Sequence, residues 1–456
     1  MKEGMKKIFA IIVCLSCCAE AAAQTYTLEQ LLDSARQNNI AIRTAQHSIQ
    51  AASQQRKEAF TKYFPHVSAT GLWFNSTQDM AKITLNPAEM INPQLTQLLS
   101  PSVLTTLFPP TSISMVKNGV LGAVTAVQPV FAGGQIINKN RLARVSEDVS
   151  KIRLSLSQNE VEKTTEQYFW QLATLQEKLR TIQAAEKLLG DIHKDVDVAL
   201  RAGVAMPNDL LQVQLRLNEL SSQKLQVMNG ISLVRMLLGQ YAGLTPAAPS
   251  QDGGYQYAFD IAVPDLEEQQ KLLPAPVAGQ EDVSSLPEYQ LLDKAVESAR
   301  LQRKLAVGQN LPTVGVGVGY SYHNLFDKGR SFGTVFATVN VPISDWWGGS
   351  HAIKRRKIEL QKAEEQLADN TELLRIRTIN AWNNVQESYQ QLLLAQRSIE
   401  QAQENLRLNR NYYNAGTSKM SDLLQAQLLY QQAQDKRTDA YSDYQNKVLE
   451  YKQVSK

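Results

Sequence analysis

Arg201-Ala202-Gly203-Val204-Ala205-Met206-Pro207-Asn208-Asp209-Leu210-Leu211-Gln212-Val213-Gln214 aligns without a gap on Asn414-Ala415-Gly416-Thr417-Ser418-Lys419-Met420-Ser421-Asp422-Leu423-Leu424-Gln425-Ala426-Gln427. Ala, Gly, Asp, Leu, Leu, Gln and Gln coincide at an offset of 213 residues. In each copy the glycine supplies the left-handed conformation that ends a helix, and the aspartate sits where the next helix begins. At the same offset Pro129 falls on Pro342, and Gly133-Gly134 lies near Gly348-Gly349. Pro65, which opens one alternating segment, corresponds to Pro312, which opens another. Three matches in the same order make the chain two copies of one repeat.

Each repeat reads helix, strand, strand, long helix, glycine-containing turn, helix. The first covers 24–241, with strands at about 66–76 and 119–130 and a tip turn at 202–209. The second covers 288–456, with strands at about 313–323 and 331–342 and a tip turn at 415–422. Between them, 242–287 is rich in proline and glycine and reads as an irregular insertion outside the helical rod. The strands show period-two alternation. Val314, Val316, Val318, Tyr320 and Tyr322 share one face, and Thr313, Gly315, Gly317, Gly319 and Ser321 the other. Each is about ten residues, the length of a transmembrane β-strand. Gln78 to Asn118, with five prolines, reads as a long loop between the first two strands, and only Asn324 to Arg330 joins the second pair.

The predicted helices are long. No proline interrupts Ala132 to Leu200, where Leu175, Ile182, Leu189 and Val196 recur every seven residues. The counterpart, Ser350 to Tyr413, has the seam Leu360, Leu367, Leu374 and Ala381, then a four-residue step to Val385, Leu392, Ile399 and Leu406. Such a step is a stutter in coiled-coil winding. Roughly 65 residues at 1.5 Å each make a rod of about 100 Å. Leu28 to Tyr63 and Asp209 to Tyr241 are half as long, so two stacked end to end match one long helix. The second repeat does the same with Glu288 to Asn310 and Asp422 to Val454.

Residues 1–23 read as a secretory signal peptide: Lys2, Lys6 and Lys7, the apolar run Ile8 to Cys18, then Ala21-Ala22-Ala23 before Gln24. All three cysteines (Cys14, Cys17, Cys18) lie within it, so a chain starting at Gln24 has no thiol chemistry. Leu15-Ser16-Cys17-Cys18 also loosely matches a lipoprotein processing box, which would leave Cys18 lipidated. The 456 residues are 43% hydrophobic and 20% charged, with formal net charge +3, the figures of an ordinary soluble protein. They exclude a polytopic helical membrane protein and give little reason to propose a nucleic-acid partner.

Enzyme and metal chemistry find no support. Gly315-Val316-Gly317-Val318-Gly319 alternates within a strand and does not lead into a helix, as a nucleotide-binding loop must. His47, His66, His193, His323 and His351 show no ligand spacing. Trp346-Trp347, at a strand-to-helix exit, suits an interfacial aromatic anchor. No nucleophile–base pair or Walker loop is present, so no cofactor is expected and energy must come from a partner.

Four strands cannot close a barrel, and an open sheet edge cannot sit in lipid. Several chains must therefore share one barrel, eight strands from two copies or twelve from three. With the duplicated helix-strand-strand-helix repeat, the two proline-then-glycine strand ends and the two turns from Ala202-Gly203 and Ala415-Gly416, the sequence resembles the TolC-type outer-membrane efflux family. The resemblance covers nearly the whole of 24–456. It implies a Gram-negative outer-membrane homotrimer: a 12-stranded barrel above an α-helical coiled-coil tunnel that extends into the periplasm. It further implies docking of the helical tips to a periplasmic adaptor joined to an inner-membrane pump.

Under that resemblance Gly203, Val204, Gly416 and Thr417 meet the adaptor, and Asp209, Tyr413 and Asp422 form a candidate periplasmic gate. Asp209 and Asp422 also have a simpler reading, as first-turn carboxylates favoured by the helix dipole. Ser418 stands where the family places an arginine partner, with Lys419 beside it, and Gln425 where a second acidic residue is expected. The implied function is passive conduction of small toxic compounds through an adaptor-opened channel. The same channel could serve protein secretion or metal export, and a secreted coiled-coil protein without a pore is the rival of another class.

Overall fold

The computed structural model describes residues 24–78, 81–85, 103, 106, 109, 111–115, 118–245, 257, 259–262, 282–324, 329–343 and 345–455. The expected signal peptide and most of 242–287 lie outside the described residues. In chain order the elements are β1 (Gln24–Tyr26), α1 (Leu28–Asn38), α2 (Ile40–Thr61), β2 (His66–Asn75), β3 (Ala81–Leu85), β4 (Thr111–Met115), β5 (Asn118–Ala132), α3 (Gln135–Arg201) and α4 (Pro207–Tyr241). There follow β6 (Phe259–Ile261), α5 (Pro287–Gln309), β7 (Thr313–His323), β8 (Arg330–Asn340), α6 (Asp345–Asn414) and α7 (Met420–Ser455). Among the described residues no helix is long and apolar enough to cross a membrane.

The chain divides into two compact units. One comprises Met1–Gln50, Asp148–Lys294 and Glu365–Lys456; the other comprises Ala51–Glu147 and Ala295–Glu364. The first unit is helical and holds two apolar clusters. In one, Leu31, Ile42, Leu172, Leu238 and Val385 are buried beside aromatics packed edge to face. Phe169 meets Trp170 edge-on at 5.3 Å, and Trp170 meets Tyr441 at 5.6 Å. The second cluster, Ile182, Leu189, Val196, Val213, Leu220, Met420 and Leu423, lies nearer the turns. It contains three of the four positions of the first seven-residue seam, because a 3.5-residue recurrence keeps them on one buried stripe.

Two readings of this unit need correction. The stretch from Leu28 is two helices, not one, because Asn39 breaks it with extended backbone (ψ 132°). Its amide donates to the Tyr241 carbonyl at 2.9 Å, and its side-chain oxygen accepts from the Ala41 N–H at 2.8 Å, starting the second helix. Within 242–287, Phe259–Ile261 is a strand. It pairs in parallel with Gln24–Tyr26 and sinks Phe259 and Ile261 into the first cluster.

The second unit carries the sheet, in the order β2-β5-β7-β8 with every pair antiparallel. The register sets Trp73 opposite Val120, Val124 opposite Tyr320, and Val318 opposite both Ala126 and Val335. One face is thus apolar and exposed, with Val67, Trp73, Val335 and Val339 between 63% and 86% accessible. The other carries Ser68, Thr70, Thr125, Thr334, Phe336 and Thr338 around the glycines of β7. The hydroxyls share that face with Leu72, Leu121 and Phe332, so a mixed face lies opposite one of valine and aromatics, the two-faced pattern of a lipid-spanning strand set. The predicted loop after β2 begins and ends as a two-stranded ladder instead, with Ala81 opposite Met115 and Leu85 opposite Thr111.

Candidate functional site: the two helix-joining turns

Both turns lie in the helical unit and repeat one construction. At the end of α3 the Gly203 N–H donates to the Leu200 carbonyl at 3.0 Å and the Val204 N–H to Ala199 at 2.9 Å. At the end of α6 the Gly416 N–H donates to Tyr413 and the Thr417 N–H to Tyr412, each at 2.9 Å. This is the Schellman pattern, which satisfies carbonyls the helix end would leave bare. It requires a left-handed residue, and Gly203 and Gly416 have φ of +80° and +70°. A Cβ at either glycine would meet nothing, so conformation rather than space selects glycine.

The following helices start alike. The Asp209 carboxylate accepts from the Met206 N–H at 3.3 Å, and the Asp422 carboxylate from the Lys419 N–H at 3.2 Å. Each acid is therefore the third helical residue, reaching back to its own cap. Asp422 also accepts from the Ser418 hydroxyl at 3.1 Å, so the serine found in place of an arginine engages the acid within the same turn.

Tyr413 is half-buried against the second apolar cluster. Burial pushes its phenol above the usual range, and the negative charges of Asp209 and Asp195 push it the same way. The phenol stays protonated and can donate. Among the described residues no hydrogen bond joins Tyr413 to Asp209 or Asp422. The first turn is apolar and open, with Val204 82% and Met206 71% accessible, whereas the second carries Thr417, Ser418 and Lys419 at the matching positions.

A polar contact beyond the turns escaped the sequence reading. Arg216 on α4 is buried; its guanidinium donates to Gln431 Oε1 on α7 at 2.9 Å, to Gln427 Oε1 at 3.5 Å and to Glu219 at 2.8 Å. Gln427 ends the repeated stretch, yet its counterpart Gln214 faces His193 instead. Only the pairing of α4 with α7 reveals the link. Among the described residues, no three His, Cys, Asp or Glu side chains gather as a metal ion requires.

A duplicated helix-strand-strand-helix chain with a two-faced sheet and exposed turns defines a channel subunit rather than an enzyme. Solved outer-membrane channels share this fold, three of them as follows. VceC of Vibrio cholerae superposes with a TM-score of 0.70 at 13% identity, covering 94% of this chain and 95% of that one. CmeC of Campylobacter jejuni gives 0.69 at 14%, covering 94% and 85%. The open-state MtrE channel of Neisseria gonorrhoeae gives 0.69 at 13%, covering 94% and 88%. No curated protein matches the chain. The profile of the outer membrane efflux protein family matches residues 31–231 and 287–453. The chain belongs to that family, whose place is the Gram-negative outer membrane with an extension into the periplasm.

Proposed function

We propose that three copies of this chain close one twelve-stranded barrel and serve as the exit duct of a tripartite efflux system. The observation that carries the reading is the sheet itself. Among the described residues β2 and β8 each have a single neighbour, so one edge of each is open. Every unpaired backbone group in lipid costs several kcal/mol. Joining β8 of one copy to β2 of the next removes both edges by a head-to-tail ring.

In this reading the turns at Gly203-Val204 and Gly416-Thr417 meet a periplasmic adaptor, and Asp209, Tyr413 and Asp422 restrain the closed end. An inner-membrane pump supplies the energy, and the channel conducts small toxic compounds passively. A strain lacking this chain should accumulate and become sensitive to such compounds, with recovery on re-expression. Unchanged accumulation and sensitivity would refute the efflux role.

A further inference from the structure

The sheet distinguishes the lipid side of its unit from the water side, and the helices attached to it inherit that distinction. A cavity of about 880 Å³ lies on the water side, because His66, Pro129 and Thr313 of the polar face share its wall with Glu58, Lys62 and Lys139. A second cavity, of about 670 Å³, is lined by the same two helices, α2 and α3, and meets the first at Thr61 and Asn140. Arg56, Lys57, Arg141 and Arg144 surround Phe60 and Tyr63 there. In its wall, the Tyr63 carbonyl accepts from the Gln128 side chain at 3.0 Å, and Gln128 stands opposite Val316 on the apolar face of the sheet.

The charge on this groove is nearly uncompensated. Arg56 pairs with the buried Glu147 at 2.9 Å. Among the described residues no carboxylate lies within ion-pair distance of Lys57, Arg141 or Arg144, and all three are exposed. The second repeat carries the same set. Gln55-Arg56-Lys57 recurs as Gln302-Arg303-Lys304 in the register of Pro65 and Pro312, and Arg141 and Arg144 fall on Lys354 and Lys357 at the offset of 213. A chain of net charge +3 thus concentrates cations at one level of its sheet-bearing unit.

That level adjoins an aromatic one. Phe60 contacts Tyr63 at 5.6 Å and Phe64 at 5.5 Å, and Trp346 and Trp347 are exposed at the other strand-to-helix exit. Aromatic girdles mark the boundary of the hydrocarbon band. Lys57 lies one helical turn from Phe60, roughly 5 Å along the axis, and the headgroup zone is about that deep on each side. Arginine and lysine stems cover the remaining distance while keeping their charge in the polar layer.

We propose that this groove binds the phosphate of an anionic phospholipid in the periplasm-facing leaflet. Lys57, Arg141 and Arg144 pair with the phosphate oxygens, and the acyl chains lie along the apolar sheet face. The inference rests on the outer-membrane placement of the sheet. Extraction of the chain from membranes without detergent would refute that placement, separately from any result on lipids.

The test uses the full chain purified in neutral detergent, with bound lipid counted by native mass spectrometry. Phosphatidylglycerol should be retained in preference to phosphatidylcholine. Lys57→Gln/Arg141→Gln/Arg144→Gln should weaken retention about tenfold, the scale of one or two charge-assisted bonds. Lys57→Arg/Arg141→Lys/Arg144→Lys should keep it. Equal retention of the two lipids by the unaltered chain, which needs no variant, would overturn the proposal. So would undiminished phosphatidylglycerol binding by the glutamine variant. Complete displacement by inorganic phosphate would assign the groove to free phosphate and would also overturn it.

Discussion

Single residues at the turns carry two demands at once. Gly203 and Gly416 end helices in a conformation that side chains resist, and Asp209 and Asp422 cap the helices that follow. Capping explains why aspartate stands at both positions, but a cap needs only an acceptor oxygen, whereas a gate needs charge. Asp209→Asn/Asp422→Asn keeps the acceptor and removes the charge. If the pair restrains the closed end, planar-bilayer recordings should show raised single-channel conductance with thermal stability changed by less than about 1 kcal/mol; unaltered conductance would leave the acids as caps alone. Asp435 on α7 tests electrostatics elsewhere. Burial raises its carboxyl from 3.8 to about 6, Lys178 opposing and Asp439 reinforcing the shift. Its Oδ1 is buried without a hydrogen-bond partner among the described residues. A raised acid binds more protons folded than unfolded between these values, so its contribution falls as pH rises from about 4 to about 6. Asp435→Asn should therefore flatten the fall in melting temperature across that window and raise the melting temperature at pH 7. An unchanged slope would contradict the shift.

At the scale of elements, periodicity told strand from helix. The alternating valines of β7 and the seven-residue seams of α3 and α6 are local patterns, legible because one buried or lipid-facing side recurs at a fixed spacing. Side-chain packing across strands was not legible. A Cβ at Gly317 would stand 2.5 Å from Phe336 Cζ, and one at Gly319 2.9 Å from Thr334 Oγ1. The β7 glycines thus leave room for β8 side chains to lie over the strand on its polar face, as an aromatic covering a glycine does in sheets. Gly317→Ala should reduce the yield of folded, heat-modifiable protein, and adding Phe336→Ala should restore part of it. Because the residues touch, the pair should be non-additive; simple additivity would show that the ring does not depend on the glycine. The break at Asn39 and the β1–β6 pair were missed for one reason: their partners, Tyr241 and Phe259, lie about 200 residues away along the chain.

For the whole molecule, the proposed barrel makes assembly a requirement of folding in lipid, because among the described residues β2 and β8 each keep an open edge. Cysteines at Thr70 and Thr334, both on the polar face, should be joined by a short bismaleimide into dimers and trimers only when one chain carries both. A product series ending at two copies would make the barrel eight-stranded. The mean composition, with hydropathy −0.29, concealed this membrane role because the apolar face occupies alternate residues of four short strands. The sequence alone determined the duplication, the two long helices, the four strands of the main sheet and the turns, since each depends on a residue's own conformational preference or on spacing within one element. Which helix starts at Asn39, where Arg216 finds its glutamines, and which side of α2 and α3 gathers unpaired cations were decided by tertiary structure. Those features depend on distances between residues far apart in the chain, and no local propensity encodes them.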